Sequence, residues 1–556
     1  MKRRIWKIKE FIPEAKTLSQ KYNISVYLAQ ILLNRNLKEE EFSSFLNSSA
    51  GFLHSPFLLP DIQKAVKRVK KAIKDKEKIL VVGDYDVDGV TSLAIFNEFI
   101  KGREEFFSFH IPHRVNDGYG LNTDVIEKAK AEARTLMIAF DCGTNSLKEI
   151  ELARSYGIDT IVIDHHHPKE ELNRAYAFIN PKRPDCSYPF KDLSAGALAF
   201  KFLQALTEKD CSKLLDLVAL SLVCDVVPLK GENRILLKEG LRMLRKSKRP
   251  AIHALCKVAK IKQENITTFH IGYILGPRIN ASGRIASAND SLQMFLSEDL
   301  ENISNIASKL QEYNLKRKAI EMDILKEAEQ KIEQDLSNDY AIVVSGENWH
   351  SGVLGIVASR LADKYYRPSF VISFDDLCGR GSARSIHSVH LMEALEGCSG
   401  SLSAYGGHRK AAGLEIFREG LEEFKQQINS YIKNNTVPAD LVPILDLDLK
   451  LNFNDVSVGL IDELGQLEPF GEENSKPMFA SLSVYKKSKP KKINSGYFIW
   501  LSDGEKTLEG VLYDKALLEI IEYAENFDIA YSLDKNSYHN EPLLTIRDVR
   551  LSDSKI

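Results

Sequence analysis

The 556 residues are 44% hydrophobic and 27% charged with a formal net charge of −2, which excludes a strongly basic or acidic chain and predicts about three globular domains. No apolar run approaches the roughly 20 residues that span a bilayer, and the N-terminus lacks the apolar core of a signal peptide, so we expect no membrane segment. Seven scattered cysteines form neither a CxxC pair nor a disulfide framework, which is typical of a cytoplasmic protein.

The first half of the sequence predicts a helical segment followed by an α/β domain. Residues 1–60 have the pattern of short helices. Beyond them, short apolar runs alternate with helical segments. The runs "KILVVGD", "TLMIAFD" and "DTIVID" predict buried strands, and "VTSLAIFNEFIK" and "SLKEIELARSYG" predict the helices that follow the first two. This order predicts a parallel, doubly wound sheet, in a domain that we place at residues 61–298.

The second half predicts three further parts. Residues 299–336 are highly charged with a narrow apolar stripe, which predicts a long, solvated connector helix. A second α/β domain is expected over 337–436, where "YAIVVSG" and "PSFVISF" have the pattern of strands and "VLGIVASRLADKY" that of a helix. Over 437–556, short alternating runs and turn-rich gaps predict a small β-barrel.

Acidic side chains follow each predicted parallel strand. They are Asp84, Asp86 and Asp88 after the first strand, Asp141 after the second, and Asp164-His165-His166-His167 after the third. Because the carboxyl ends of parallel strands lie at one edge of a sheet, these groups should converge on one crevice. A further acid, Asp225, ends a helix that is apolar nearly all round and is therefore expected to be buried.

A crevice with this many carboxylates needs cations. A single buried Asp could cap a helix or a turn instead, but a set of them would force upward pKa shifts and a loss of stability. Carboxylates with one or two imidazoles suit Mn²⁺ or Mg²⁺, and the absence of a thiolate pair argues against a structural zinc. Two ions about 3.5–4 Å apart are the usual arrangement for cleaving a phosphate ester. We therefore expect two divalent ions, Mn²⁺ or Mg²⁺, as cofactors.

Spaced motifs give the sequence a family resemblance. "GDYDVDG", "DCG" and "DHH" occur in the order found in the DHH phosphoesterase superfamily. The segments "PHRVNDGYGL" (112–121), "CDVVPL" (224–229), "GPRINASGR" (276–284) and "AYGGHRKAAG" (404–413) resemble more specifically the RecJ family of bacterial single-strand-specific 5′→3′ exonucleases. The resemblance implies a DHH catalytic domain, a DHH-associated domain and a C-terminal OB-fold-like nucleic-acid-binding domain, in that order.

The resemblance also implies a role for each acid and histidine of the crevice. One ion would be held by Asp86 and Asp141, with Asp84 close by; the other would be held by Asp88, Asp141, His165 and Asp225. Asp141 would then bridge the two ions, which would share the attacking water. His166 would contact the scissile phosphate, and His167 has no assigned role and is expected at the surface.

Arginine- and glycine-rich segments of the first domain are candidate contacts for nucleic acid. Arg114 in "PHRVNDGYG" can pair with a phosphate through two hydrogen bonds, although an ordinary surface Arg in a turn would give the same pattern. "GPRINASGR" contains Pro and Gly and is interpreted as a loop, in which Arg278, Asn280 and Arg284 suit phosphate and sugar contacts.

The second domain and the barrel offer further candidates. Paired glycines let backbone N–H groups face an anion, and the resemblance implies that the following residues grip the nucleic-acid backbone: His350, Arg384, Gly406, Gly407 and His408. In the barrel, the basic stretch "KKSKPKK" beside "YFIW" suits a single-strand platform, with charge for the backbone and rings for the bases. A solvated hairpin tip and an ordinary core strand are the alternatives.

These features predict a single-stranded-DNA-specific 5′→3′ exonuclease that uses two metal ions in DNA recombination and repair. A cleft that fits one strand would exclude a duplex, whereas the polarity, the monomeric state and the helicase and single-strand-binding partners are implied by the resemblance alone. One alternative is another DHH phosphodiesterase, such as an oligoribonuclease or a cyclic-dinucleotide phosphodiesterase, which needs less chain. The other is a non-catalytic single-strand-binding scaffold, which should have lost metal ligands.

Overall fold

The computed structural model describes residues 4–114, 118, 120–334, 340–536 and 538–552. The chain divides into two compact units. The larger comprises Leu53–Val227 and Ile235–Leu441, and the smaller comprises Met1–Phe52, Pro228–Arg234 and Val442–Ile556. Across the described ranges, no helix combines the length and apolar character needed to cross a membrane. Parts of two predicted segments, 115–117 with 119 and 335–336, lie outside the described residues.

The first elements of the chain belong to the smaller unit. They are the strand β1 (Ile5–Ile8) and the helices α1 (Glu14–Tyr22), α2 (Val26–Asn34) and α3 (Phe42–Leu46). The sequence predicts the helices but not β1. That strand forms because Ile5 pairs with Ile444 at the other end of the chain, and such a distant partner leaves no local signal.

A parallel α/β domain opens the larger unit. Its strands pair in the order β3-β2-β4-β5-β6 and are β2 (Ile79–Gly83), β3 (Phe107–His110), β4 (Leu136–Phe140), β5 (Asp159–Ile163) and β6 (Ala177–Ile179). The helices up to residue 296 are α4 (Ile62–Lys74), α5 (Val87–Ile100), α6 (Thr123–Ala131), α7 (Leu147–Ser155), α8 (Ala195–Thr207), α9 (Leu215–Cys224), α10 (Gly231–Arg245), α11 (Pro250–Ala259), α12 (Thr268–His270), α13 (Gly276–Ile285) and α14 (Asn289–Leu296).

The parallel sheet confirms the strands predicted from the apolar runs. β2 and β4 are buried along their whole length, as expected of strands covered on both faces. β2, β4 and β5 are neighbours and run parallel. Their carboxyl ends therefore lie side by side at one edge of the sheet, where the acids follow.

The segment "GPRINASGR" is helical, so its interpretation as a loop is wrong. It forms α13, which continues directly from a π-helical turn at 271–275 and has Pro277 near its start. Gly283 serves close packing, because a Cβ at this position would lie 2.5 Å from the carbonyl oxygen of Tyr85. The glycine thus brings α13 against the loop that carries the first acids.

The connector is the single helix α15 (Leu300–Gln334). Its apolar stripe is confirmed in part, since Ile303, Leu310 and Ile324 are buried. The helix is not simply solvated, because Glu321 is fully buried and its carboxylate accepts a hydrogen bond from Arg317, four residues earlier on the same helix. The periodicity of apolar residues does not reveal such a buried polar pair.

The second α/β domain follows the connector within the larger unit. Its sheet has the order β10-β11-β9-β8-β7. The strands are β7 (Ile342–Glu347), β8 (Ser369–Asp375), β9 (Cys378–Arg384), β10 (Ala404–Gly407) and β11 (Ala411–Phe417), and the helices are α16 (Ser351–Tyr365), α17 (Leu391–Glu396) and α18 (Leu421–Asn435). The glycine-rich segment 404–413 is the hairpin of β10 and β11, at the edge of this sheet.

The smaller unit ends in the predicted barrel. The strand β12 (Ile444–Leu447), which pairs with β1, precedes it. The barrel strands are β13 (Leu449–Lys450), β14 (Phe479–Lys486), β15 (Lys491–Ile493), β16 (Gly496–Ser502), β17 (Thr507–Leu512), β18 (Phe527–Lys535) and β19 (Pro542–Leu551), with helices α19 (Val458–Leu464) and α20 (Lys515–Tyr523). The sheet runs β13-β14-β18-β19-β17-β16-β15, and a pairing of β14 with β16 closes it. In β16, Ile499 is buried and Trp500 is exposed, so the predicted aromatic run contributes to both the core and the surface.

Candidate metal centre

The loop after β2 places three acids around the start of α5. Asp86 caps the helix, because its side chain accepts hydrogen bonds from the backbone N–H groups of Asp88 and Gly89. Gly89 lets the loop fold tightly against the helix, since a Cβ there would lie 2.3 Å from the carbonyl oxygen of Asp84. The spacing of two residues between the acids therefore results from a capped helix start, and only glycine fits at position 89.

The carboxylate of Asp88 is buried against the N-terminus of a second helix, α8. This carboxylate accepts hydrogen bonds from the backbone N–H groups of Ala195 (2.8 Å) and Gly196 (2.9 Å), in the first turn of α8, and from Ser221 Oγ (2.5 Å). Burial and the charge of Asp86 nevertheless raise the pKa of Asp88 to about 6. Three donors and a helix N-terminus favour its ionised form but do not compensate fully for burial among other acids.

Asp141 follows β4 in an unusual backbone conformation. Its φ is 61°, in the left-handed region that non-glycine residues seldom occupy. Its backbone N–H donates to the carbonyl of Ile163 at the end of β5, which fixes the side chain at the edge of the sheet. Burial and the charges of Asp88, Asp86, Asp84 and Asp225 raise the pKa of Asp141 well above its usual value.

The ring of His165 lies among three carboxylates. Its Nε2 atom is 3.3 Å from an oxygen of Asp141, 3.5 Å from Asp225 and 3.7 Å from Asp88. Burial lowers the pKa of His165 to about 3, so the ring is neutral, and neither of its nitrogens has a hydrogen-bond partner among the described residues. A neutral nitrogen surrounded by carboxylate oxygens at this distance fits a metal ion that all of them coordinate.

Two sets of ligand atoms that share no residue are compact enough to hold one ion each. Within each set, the atoms lie within 4.8 Å of one another, and the sets are Asp84 with Asp86 and Asp141, and Asp88 with His165 and Asp225. A third compact group, Asp141 with Asp164, His165 and His166, overlaps both sets. Burial is the first cause that raises the pKa of Asp84 and of Asp225 well above the ordinary range, and like charges add to it. In the part of the chain that the structure describes, one buried oxygen of each of these two acids accepts no hydrogen bond. The donor set therefore fits divalent cations of the Mn²⁺ or Mg²⁺ type.

Asp164 and His166 form a buried pair beside this centre. His166 Nδ1 donates to Asp164 at 2.7 Å, and Asp164 also accepts from the backbone N–H groups of His165, His166 and Thr144. Burial alone would raise the pKa of Asp164, but the charge and hydrogen bond of His166 hold it below its usual range. The same pair raises the pKa of His166 despite burial. No role is predicted for Asp164 from the sequence, although its position directly after β5 and before three histidines is the signal that could have revealed one.

Three predicted nucleic-acid contacts lie close to the acids. The guanidinium of Arg114 stacks on the ring of Tyr85 at 4.1 Å. Burial, together with the charges of Arg114 and Arg384, lowers the pKa of Arg284 to about 10. Arg284 also bridges to the second domain, since it donates to the carbonyl of Gly352 at 3.1 Å. The structure thus brings together three arginines that are 170 and 100 residues apart in sequence.

The other predicted contacts are placed differently. Arg278 donates to Gln311 and to the carbonyl of Ile274, and Asn280 accepts from the N–H of Val87. His350 caps α16 by accepting from the N–H of Gly352. Gly406 and Gly407 are exposed in β10. Burial and the charges of His166 and Lys182 lower the pKa of His408, which places this histidine near the metal centre.

The acids, the buried imidazole and the parallel sheet define a DHH-type phosphoesterase domain. Three family models match ranges of this chain and agree with this architecture. They are the DHH family N-terminal domain over residues 78–222, the DHHA1 domain over 338–434 and the RecJ OB domain over 447–548.

Named relatives specify the family. The single-stranded-DNA-specific exonuclease RecJ of Dickeya dadantii is 34% identical over 452 residues, which cover 76% of this chain and 78% of that protein. The RecJ of Bacillus subtilis is 35% identical over 469 residues, which cover 84% of this chain and 59% of that protein; the chain thus spans less than two thirds of this relative. The chain belongs to the RecJ family, as the motifs predict.

Solved structures share the fold. Crystal structures of RecJ from Thermus thermophilus in complex with Mn²⁺ and with Mg²⁺ match with TM-scores of 0.84 and 0.79 at 24% identity. The matches cover 99% of this chain and 80% and 79% of those chains. The predicted fold class is confirmed. The roles of individual residues and the boundaries between the predicted domains stay predictions.

Proposed function

We propose that the protein hydrolyses phosphodiester bonds of single-stranded DNA as a metal-dependent 5′→3′ exonuclease that serves recombination and repair. The observation that carries this proposal is the buried His165, whose Nε2 faces oxygens of Asp88, Asp141 and Asp225 at 3.3–3.7 Å. A protein that only bound DNA would gain nothing from this costly arrangement of buried acids. The relatives named RecJ supply the substrate class.

Each compact set of ligands would hold one divalent ion. Asp84, Asp86 and Asp141 would hold the first, and Asp88, His165 and Asp225 the second, with Asp141 between them because it lies 3.3 Å from His165. When bound, a pair of such ions supplies Lewis-acid activation of water and of the phosphate. The protein contributes a fixed set of oxygen and nitrogen ligands and a buried surrounding.

His166 would hold the scissile phosphate. Its ring is partly exposed, with 32% of the side chain accessible, while its Nδ1 is engaged by the buried Asp164. Because Asp164 raises the pKa of His166, the ring carries a proton more readily and can donate from Nε2 to a phosphate oxygen. Asp164 would therefore act as a positioning residue that keeps His166 charged and oriented.

Arg114, Arg284 and Arg384 would bind phosphate next to the metal ions. In addition to burial, the charge of Arg114 lowers the pKa of both Arg284 and Arg384, so the proximity of the three guanidinium groups costs free energy without an anion between them. A phosphate removes this repulsion and accepts the paired hydrogen bonds that guanidinium offers. Single-strand specificity would follow from the limited space between the two α/β domains, which Arg284 joins through Gly352.

The remaining candidates would act more indirectly. Gly406 and Gly407 expose their backbone in β10 and would approach the strand with His408 beside them. Arg278, Asn280 and His350 form hydrogen bonds within the protein, so we expect their first role to be holding α13, α5 and α16 in place.

The 5′→3′ polarity, a helicase and a single-strand-binding protein as partners, and a monomeric state are proposed from the motif resemblance. Size-exclusion chromatography with light scattering tests the monomer. Pull-down of the purified chain with a single-strand-binding protein or a helicase tests the partners, and absence of binding at micromolar concentrations would refute them.

The proposal is tested by product analysis on end-labelled DNA. Single-stranded DNA, the matching duplex and short oligoribonucleotides are incubated with and without Mn²⁺. We expect release of mononucleotides from the 5′ end of the single strand only, and only with the metal. Degradation of the short oligoribonucleotides alone would instead support another DHH phosphodiesterase.

A matched pair of variants links the activity to the acids. Asp141→Ala removes the carboxylate between the two metal sites and should abolish hydrolysis while single-strand binding stays measurable. Asp323→Ala removes an exposed acid of the connector and should leave both unchanged. Unchanged turnover in Asp141→Ala would refute the assigned role of this residue.

A further inference from the structure

Two large aromatic side chains are exposed in the helical segment that precedes α13. Phe269 and Tyr273 have 59% and 74% of their surface accessible to solvent. Their rings are stacked on each other, with centroids 5.1 Å apart and an angle of 26° between the planes. Single exposed apolar residues are common at protein surfaces, but an ordered pair that presents ring faces to solvent is the form that a binding platform for planar groups takes.

The platform, Phe269 with Tyr273, is held rigidly. His270 lies edge-on to Phe269, with ring centroids 5.9 Å apart at 84°. Thr267 fixes His270 in turn, since its hydroxyl lies 2.8 Å from His270 Nδ1 and its backbone N–H donates to the same atom. Tyr273 belongs to a single π-helical turn, residues 271–275, and such turns occur frequently at functional sites. The rings are therefore ordered before any ligand binds.

Glycines bring the platform segment against the helix that leads to Asp225. A Cβ on Gly272 would lie 3.5 Å from Val223, and one on Gly276 would lie 2.5 Å from Cys224 Sγ. Val223 and Cys224 are the two residues that directly precede Asp225 in the sequence. The platform segment thus packs against the end of α9, directly before Asp225, in the same compact unit.

We propose that Phe269 and Tyr273 stack against nucleobases of the single strand beside the scissile phosphate. The proposal rests on the function proposed above and adds a base contact to a site otherwise built from charges. Every base has a π-face, so stacking holds a strand in place without selecting its sequence. A base-paired duplex keeps its faces covered by stacking, so the platform would also favour a single strand.

The test combines protein variants with abasic substrates. For each of Phe269→Ala and Tyr273→Ala, KM for single-stranded DNA should rise roughly tenfold, within what stacking of one base on an aromatic ring contributes, with kcat little changed. Tyr273→Phe keeps the ring and should behave like the wild type. Phe417→Ala removes an exposed ring of the second domain (52% accessible) and is the matched control, expected to leave KM unchanged.

An abasic site moved along the strand identifies the contact. In the wild type, one or two positions should raise KM by the same factor as the alanine variants. In those variants, an abasic site at the same positions should add nothing further. If the effects of variant and abasic site multiply, or if KM does not change in either alanine variant, the platform is refuted. Failure of the wild type to cleave single strands at all would refute the underlying function instead.

Discussion

Binding of Mn²⁺ should depend steeply on pH, because the ion must displace protons from buried carboxylates. Burial and the charge of Asp86 raise the pKa of Asp88 from its ordinary 3.8 to about 6. At pH 5 this group is protonated by about ten to one, and displacing its proton costs about 1.4 kcal/mol. Protonation of Asp88 alone should therefore raise the apparent Kd for Mn²⁺ about tenfold for each pH unit below 6. Asp84, Asp141 and Asp225, whose pKa values are also raised, should steepen the dependence.

The same shifts determine how the stability of the metal-free protein depends on pH. Because the folded-state pKa of Asp88 is higher than the unfolded value, the folded protein binds more protons between about pH 4 and pH 6. The stabilising contribution of Asp88 is present below about pH 4 and is lost as the pH rises through 6. A rise of roughly two pKa units means that, at pH 8, the free energy of unfolding has lost about 3 kcal/mol relative to its value below pH 4. Mn²⁺ should therefore raise Tm more at pH 8 than at pH 5.

Calorimetric titration with Mn²⁺ in two buffers of different ionisation enthalpy measures the protons released. We expect at least one proton per protein at pH 6. His165→Ala is the informative variant: burial lowers the pKa of His165 to about 3, so the ring carries no proton to release. The variant should bind Mn²⁺ more weakly but release as many protons as the wild type. A Kd that is constant from pH 5 to pH 8, with less than half a proton released, would show that the carboxylates are already ionised.

Two substitutions test the supporting residues. Asp164→Asn should lower the pKa of His166. At saturating Mn²⁺, the rate of DNA hydrolysis should therefore fall at least tenfold at pH 8 and recover in part at pH 6. A pH–rate profile of unchanged shape would contradict the positioning role of Asp164. Gly89→Ala should weaken Mn²⁺ binding about tenfold and lower Tm, because a Cβ would lie 2.3 Å from the carbonyl oxygen of Asp84. Helix propensity alone would have the opposite effect and favour Ala by about 1 kcal/mol. Gly459→Ala, in α19, is its control and should not lower Tm, because a Cβ there would make only an ordinary contact, 3.8 Å from Ser457 Oγ.

The convergence of the candidate metal ligands could be predicted because it depends on local patterns. Apolar runs predict the strands, and parallel strands put their carboxyl ends at one edge. Asp84, Asp141 and His165 therefore meet although they lie far apart in sequence. The periodicity of strand and helix was sufficient to infer this convergence.

Features that depend on tertiary packing could not be predicted in the same way. Composition suggests a loop for "GPRINASGR", yet Gly283 serves close contact with Tyr85 in a helix. The strand β1 forms only because residues 444–447 provide an edge. The convergence of Arg114 with Arg284 and Arg384 requires the packing of two domains that no local pattern specifies.

The pKa values within the crevice also explain how the protein can fold before it binds metal. Asp88 receives three hydrogen bonds, including one from Ser221, and its pKa is raised only to about 6. Burial and like charges also raise the pKa values of Asp84, Asp141 and Asp225 well above the ordinary range. Protons on these carboxyl groups limit the repulsion between them in the folded metal-free chain. Folding and the proposed binding of divalent cations therefore depend on the same carboxylates.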